Sequence, residues 1–403
     1  MLSVLNTLRG RGYQAFIVGG AVRDLLMKIP IKDFDVATDA LPEAVEALFP
    51  KTVDLGKEFG VIAVVSPEGV SVEVTTFREE SQYNAKRQPT KVKYTDLEGD
   101  ASRRDFTINA LYYDVFTDRV IDPFGGVKDI QSRCLRAIGD AGERLKEDPL
   151  RVLRAIRFSA RFDFVMEEDL KKALHQTGSL IAGVAKERVF DELKKAFQFH
   201  CWRRSLQLLD EFSLWSPLNW PVPSAERLRA VLRVSVDGGF LETLGWLWFD
   251  QPQEKMTRIL RELKVSGKFK EALLFFTFEG KKLLQEPLPR LGERFLLFSR
   301  APTGFLQFLK GLSELLGARE EFLKVRADFE AYRKLLDAHG ELPRPLVDGE
   351  ELQRQGIEKG PTMGALKKEL YLRQLEGSFT SLKQLAKFLK EFPRTSSGDE
   401  RPS

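Results

Sequence analysis

Cysteine and histidine are nearly missing from this chain of 403 residues, which has Cys134, Cys201 and three histidines scattered at 175, 200 and 339. The cysteines are far apart and lack metal-ligand spacing. No zinc or histidine-based triad site suggests itself, and the cysteines read as two buried free thiols in a reducing compartment. No apolar run is long enough to span a bilayer, and Met1-Leu2-Ser3-Val4-Leu5 meets charged residues within a few positions, which argues against a signal peptide. The cytoplasm is therefore the expected compartment. Net charge is scarce too. With 63 lysines and arginines against 59 acids the balance is +4, so bulk electrostatics do not announce nucleic acid, although a local basic face is compatible with it. Hydrophobic content of 43% and charged content of 30% fit an ordinary globular protein with a large core, long enough for roughly two to four compact units.

What is present concentrates near the start. Phe16-Ile17-Val18 reads as a buried strand, and Gly19-Gly20 lets the backbone approach a ligand closely. Ala21 to Met27 reads as a helix whose N-terminus favours phosphate, with Arg23 one turn in. Asp33-Phe34-Asp35 falls in a predicted strand Asp33–Ala37, so the two aspartates would share one face with Phe34 in the core. Side-by-side carboxylates repel, and a divalent cation such as Mg²⁺ relieves this while gathering substrate phosphates. Alone, paired glycines are an ordinary turn and Asp-x-Asp a solvated one; together they favour a nucleotide site. Glu73, in the alternating run Val70–Thr76, is a candidate third carboxylate or equally a surface-strand glutamate.

Further strands are expected at Gly60–Val65 and Ile108–Tyr113, a helix at Pro42–Phe49, and a mobile loop over Glu79 to Glu98. From about residue 140 amphipathic helical patterns dominate, and the polar end from Arg394 reads as disordered. Paired glycines in Asp122-Pro123-Phe124-Gly125-Gly126 read as a hinge or a plain turn. Asp148 and Arg151 are three apart and share a helix face; with Pro149 at a first-turn position, Asp148 reads as an N-cap paired with Arg151.

Gly19-Gly20-x-x-Arg23-Asp24, Asp33-Phe34-Asp35, Arg103-Arg104-Asp105-Phe106-Thr107-Ile108-Asn109-Ala110 and Glu147-Asp148-x-x-Arg151 together resemble the motifs of CCA-adding enzymes, the tRNA nucleotidyltransferases of the bacterial and eukaryotic type in the poly(A) polymerase superfamily. The likeness is strong over 15 to 165, loose through the body, and moderate in the tail pattern Val347-Asp348-Gly349 to Gly364. It implies an α/β nucleotidyltransferase head, a small mixed sheet with flanking helices, over 1–137. All-α parts would follow: a neck over 138–205 with a base-template helix, a body over 206–325 and a tRNA-binding tail over 326–390, with 391–403 disordered. The implied reaction adds CMP and AMP from CTP and ATP to the tRNA 3′ end. The resemblance makes Asp33, Asp35 and Glu73 catalytic, the first two holding Mg²⁺. It makes Gly19, Gly20, Arg23, Arg104, Asp105, Asn109, Asp148, Arg151, Arg154 and Arg157 nucleotide-binding. Asp105 would read the ribose 2′-hydroxyl, while Asp148 and Arg151 would replace a nucleic-acid template. Glu187 to Lys194 resembles a helix that braces the template helix. A poly(A) polymerase, an enzyme adding only the terminal A, and a non-catalytic RNA-binding relative remain as alternatives, as do monomer and homodimer; no membrane partner is expected.

Overall fold

The computed structural model describes residues 1–385 apart from 32, 66–68, 70, 84–88, 199–200, 286 and 355–356. The predicted disordered end and Gly356 of the tail pattern lie outside the described residues. Two compact units form: Met1–Val222 with Arg258–Val265, and Pro223–Thr257 with the residues from Ser266 on. The head and neck expected from the resemblance thus fall in one unit.

The first unit is built on a seven-stranded mixed sheet in the order β3-β4-β5-β2-β1-β8-β9. Its strands are β1 (Ala15–Val18), β2 (Asp35–Thr38), β3 (Thr52–Gly56), β4 (Val61–Val65), β5 (Ser71–Thr76), β8 (Tyr112–Asp114) and β9 (Arg119–Ile121); β6 (Arg78–Tyr83) and β7 (Pro89–Tyr94) form a separate hairpin. Alternation sorts the strand side chains onto two apolar layers. Ile17, Val36, Ile62, Val72 and Val74 fill one layer with Val4, Leu5 and Leu8 of α1 (Leu2–Gly10). Phe16, Val18, Ala37, Phe77 and Tyr112 fill the other.

Several sequence expectations are corrected here. The acidic strand begins at Asp35, not Asp33. β1 pairs Val18 with Asp35 and then turns away at Gly19, whose φ is 70°, so Asp33 and Phe34 have no strand partner on that side. The stretch predicted as Ile108–Tyr113 divides into a tight turn, Thr107–Asn109, and β8. The expected loop over 79–98 includes most of the β6–β7 hairpin and the start of α4 (Leu97–Ser102), with 84–88 outside the described residues. Cys134 and Cys201 are free but only half-buried, since one opens a two-residue strand and the other caps a helix. At the paired glycines, read above as a hinge or a plain turn, the structure shows a close approach. Gly125, with φ at 75°, caps α5 (Gly126–Gln131), and Gly126 is buried with its absent Cβ position 2.2 Å from the Thr107 carbonyl oxygen.

Beyond the sheet, the hairpin and a short pair of two-residue strands (Cys134–Leu135 with Val165–Met166), the described residues of the first unit are mainly helical. After α6 (Ala141–Glu147) come α7 (Leu150–Phe162), α8 (Glu168–Thr177) and α9 (Lys186–Ala196). Pro149, not Asp148, is the residue preceding α7, while the Asp148 side chain accepts from Leu150 N–H at 3.2 Å. The second unit is helical in its described residues. Trp246 stacks on Phe308 and donates from Nε1 to its carbonyl at 3.0 Å. Val347, Leu352, Met363, Leu370, Phe379 and Leu385 form a small core near its end. Among the described residues no helix is long and apolar enough to cross a membrane.

Candidate active site

One cavity of about 390 Å³ opens in the first unit, beside the end of the sheet where β1 meets α2 (Gly20–Leu26). All the sequence-predicted site residues line it except Asp33 and Glu73, and Arg103 and Phe158 join them. Six arginines and three aspartates face this space, giving a basic cavity suited to a polyanion.

Asp35 lies on the sheet face of Ala37, opposite Val36, and the parallel pairing of β2 with β5 sets Glu73 directly beside it. Asp35 is half-buried, whereas Asp33 and Glu73 are exposed. Desolvation and then the neighbouring Asp35 and Asp33 raise the Glu73 pKa; burial raises that of Asp35, which Arg104 opposes and Asp33 reinforces. Among the described residues, no three acidic, thiol or imidazole groups converge as a preformed metal cage. The donor set nevertheless fits one hard cation: oxygen ligands whose mutual repulsion a positive ion would relieve, open to the cavity through Asp35.

The arginines are each oriented by a fixed partner. Arg104 donates to Asp100 at 3.1 Å and to the Tyr112 hydroxyl at 3.3 Å, and the Tyr112 hydroxyl donates to the same Asp100 oxygen at 2.6 Å. Asp100 is fully buried and was not singled out from the sequence, where it is one acid among many. Arg23 donates to Asp24 at 2.8 Å and also to Asn109, while burial lowers its pKa. Asn109 donates to Asp105 Oδ1 at 2.9 Å, joined there by Phe106 N–H at 2.8 Å; Arg154 Nε donates to Oδ2 at 2.7 Å. Burial alone would raise the Asp105 pKa, but Arg154 and these hydrogen bonds overrule it and hold it at about 2.

Arg151, Arg154, Arg157 and Arg161 recur along one side of α7. They ion-pair respectively with Glu147, Asp105, Glu192 of α9 and Asp24 of α2. Phe158 lies under three guanidiniums, those of Arg23, Arg154 and Arg157, at 5.3, 5.3 and 4.2 Å from its ring centre. Its place one turn after Arg154 and seven residues after Arg151 was the sequence signal for it. The Asp148–Arg151 ion pair expected from helical spacing is absent. Asp148 pairs with Arg188 of α9 at 3.0 Å, and Arg151 with Glu147 at 3.0 Å, because α9 packs against α7 and supplies the competing charge.

Comparison with known proteins identifies the family. A family profile described as the poly A polymerase head domain matches residues 15–136, and one described as a probable RNA and SrmB-binding site of polymerase A matches 163–226. A CCA-adding enzyme of Bacillus pumilus is 36% identical over 310 residues, 74% of this chain and 75% of that protein. The chain belongs to the CCA-adding enzyme family. A second member, from Geobacillus kaustophilus, is 38% identical over 265 residues, which cover 66% of this chain but 63% of that protein. The chain thus spans just under two thirds of that relative's length. The fold of the family extends further: the crystal structure of the Bacillus stearothermophilus CCA-adding enzyme in complex with CTP superposes with a TM-score of 0.75 at 28% identity, covering 97% of this chain and 96% of that one.

Proposed function

We propose that this chain is a tRNA nucleotidyltransferase that adds CMP and AMP from CTP and ATP to the 3′ end of tRNA. The observation that carries the reading is the shared cavity: Asp35 of the sheet, Asp148 just before α7 and Arg151 on it line one space about the size of a nucleotide. Acid and base reader belong to elements far apart in sequence, and an ordinary capped helix would have no reason to face an acidic strand.

In this reading the triphosphate lies against Gly19 and Gly20 with Arg23, Arg104, Arg154 and Arg157 as counter-charges. Asp33 and Asp35 would hold a divalent cation, Mg²⁺, with Glu73 beside them. When bound, the cation neutralises triphosphate charge and lowers the cost of ionising the attacking hydroxyl. The chain's own work is positioning. Arg104, locked by Asp100 and Tyr112, presents its charge without reorganisation. Asp105, kept ionised, accepts from a ribose hydroxyl, with Asn109 beside it. The 3′-hydroxyl of the RNA displaces pyrophosphate from the α-phosphorus without a covalent enzyme intermediate.

Base choice follows from hydrogen-bond polarity. Cytosine N4 and adenine N6 each offer an amine beside a ring acceptor, which Asp148 and Arg151 can satisfy together; uracil and guanine place a carbonyl where Asp148 needs a donor. The stretch 326–390 is read as the part that holds the tRNA. The test is to give tRNA lacking its 3′ end, or ending in one or two cytidines, each nucleotide separately. A ladder that stops at CCA supports the proposal. Long A tails would replace it with a poly(A) polymerase, and A incorporation only after CC with an A-adding enzyme.

A further inference from the structure

Asp148 and Arg151 carry opposite charges at the spacing where helices pair acid with base, yet they are held apart. Arg151 is fixed by three acceptors: Glu147 at 3.0 Å and the carbonyls of Arg144 and Arg103 at 2.9 and 3.1 Å. Asp148 has one ion-pair partner, Arg188 Nη2 on α9, 3.0 Å from Oδ2; its Oδ1 accepts only the Leu150 N–H. The orientation of Asp148 therefore hangs on Arg188. Moreover Arg188 Nη1 is buried without a hydrogen-bond partner, an expensive condition for a charged group.

We propose that Arg188 is a positioning residue that sets base specificity: by drawing Asp148 away from Arg151, it keeps the acceptor and the donor of the base reader open. The inference rests on the base-template reading of Asp148 and Arg151 above. Without Arg188, Asp148 is free to close onto Arg151, and a reader whose two halves satisfy each other no longer charges a wrong base for an unpaired group. Arg188 does not line the cavity, so it acts through Asp148 and not on the substrate.

The test measures kcat and KM for CTP and UTP on tRNA lacking its 3′ end, for the native chain, Arg188→Gln, Arg188→Lys and Asp148→Asn. Arg188→Gln is expected to raise KM for CTP while moving kcat little, and to lower the CTP-over-UTP ratio of kcat/KM about tenfold, the scale of one charge-assisted hydrogen bond. Arg188→Lys, which keeps the charge, restores most of that ratio. The side chain of Arg188 is 35% exposed, so both variants should fold, and equal melting temperatures verify it. If Asp148→Asn lowers the ratio and Arg188→Gln leaves it unchanged, the proposal falls and the base-template reading stands. An equal loss on both nucleotides makes Arg188 a structural brace only and also overturns the proposal. If Asp148→Asn itself leaves the ratio unchanged, the template reading fails and takes the proposal with it.

Discussion

Asp105 shows how much of the site is decided one side chain at a time. Four donor contacts from Arg154, Asn109 and the Phe106 N–H occupy its carboxylate, and its pKa sits at about 2 against an ordinary value near 4. A folded-state pKa below the unfolded one adds stability at neutral pH, and that stability disappears as pH falls through the folded pKa. At this buried carboxylate the difference between folded and unfolded chain corresponds to about 2 kcal/mol. Asp105→Asn should therefore cost about that much at pH 7, and the gap to the native chain should close between pH 4 and pH 2, measured by urea unfolding. Asp35 and Glu73 are strained in the opposite sense, as neighbouring carboxylates side by side on adjacent strands whose pKa values are both raised. A cation that binds only the folded chain stabilises it by mass action. Adding Mg²⁺ should raise the melting temperature of the native chain and leave that of Asp35→Asn nearly unmoved; an equal rise in both would remove Asp35 from the metal site.

At the scale of elements, legibility depends on whether a segment's reason for existing lies within it. α7 is readable because its arginines and apolar residues alternate with helical period inside 13 residues. β3 is not: Val53 and Leu55 are exposed, so no buried face is written into Thr52–Gly56, and β4 supplies the pairing that makes it a strand. The β6–β7 hairpin escapes notice for the same reason, its ladder joining charged residues such as Glu79 and Lys93 that show no apolar alternation. The partners of α7's arginines were equally hidden, since Glu192, Asp105 and Asp24 become partners only through packing. Gly126 makes another contact that only packing reveals. Its Cβ would meet the Thr107 carbonyl at 2.2 Å, a side-chain atom against rigid backbone, in the turn that positions Asn109. Gly126→Ala should destabilise the first unit by about 1–3 kcal/mol and reduce nucleotide incorporation, whereas a freely rotating hinge would tolerate alanine with little change in melting temperature.

At the scale of the whole molecule, the cavity belongs to the first unit alone, while the second has its own aromatic core. That separation makes an asymmetric prediction at Gly311. In an exposed helix interior, replacing glycine with alanine gains up to about 1 kcal/mol from propensity. Here the new Cβ would lie 2.5 Å from the indole of Trp246, which is fully buried, stacked on Phe308 and hydrogen-bonded to its carbonyl. Relieving that overlap means moving the indole in a packed core, which costs about 1–3 kcal/mol and outweighs the propensity gain. Gly311→Ala should therefore lower the melting temperature. Its CTP affinity, measured by calorimetry at a temperature where both units remain folded, should match that of the native chain, because none of the altered contacts borders the nucleotide cavity. A parallel loss of CTP affinity would show that the second unit's core reaches the base-reading residues after all.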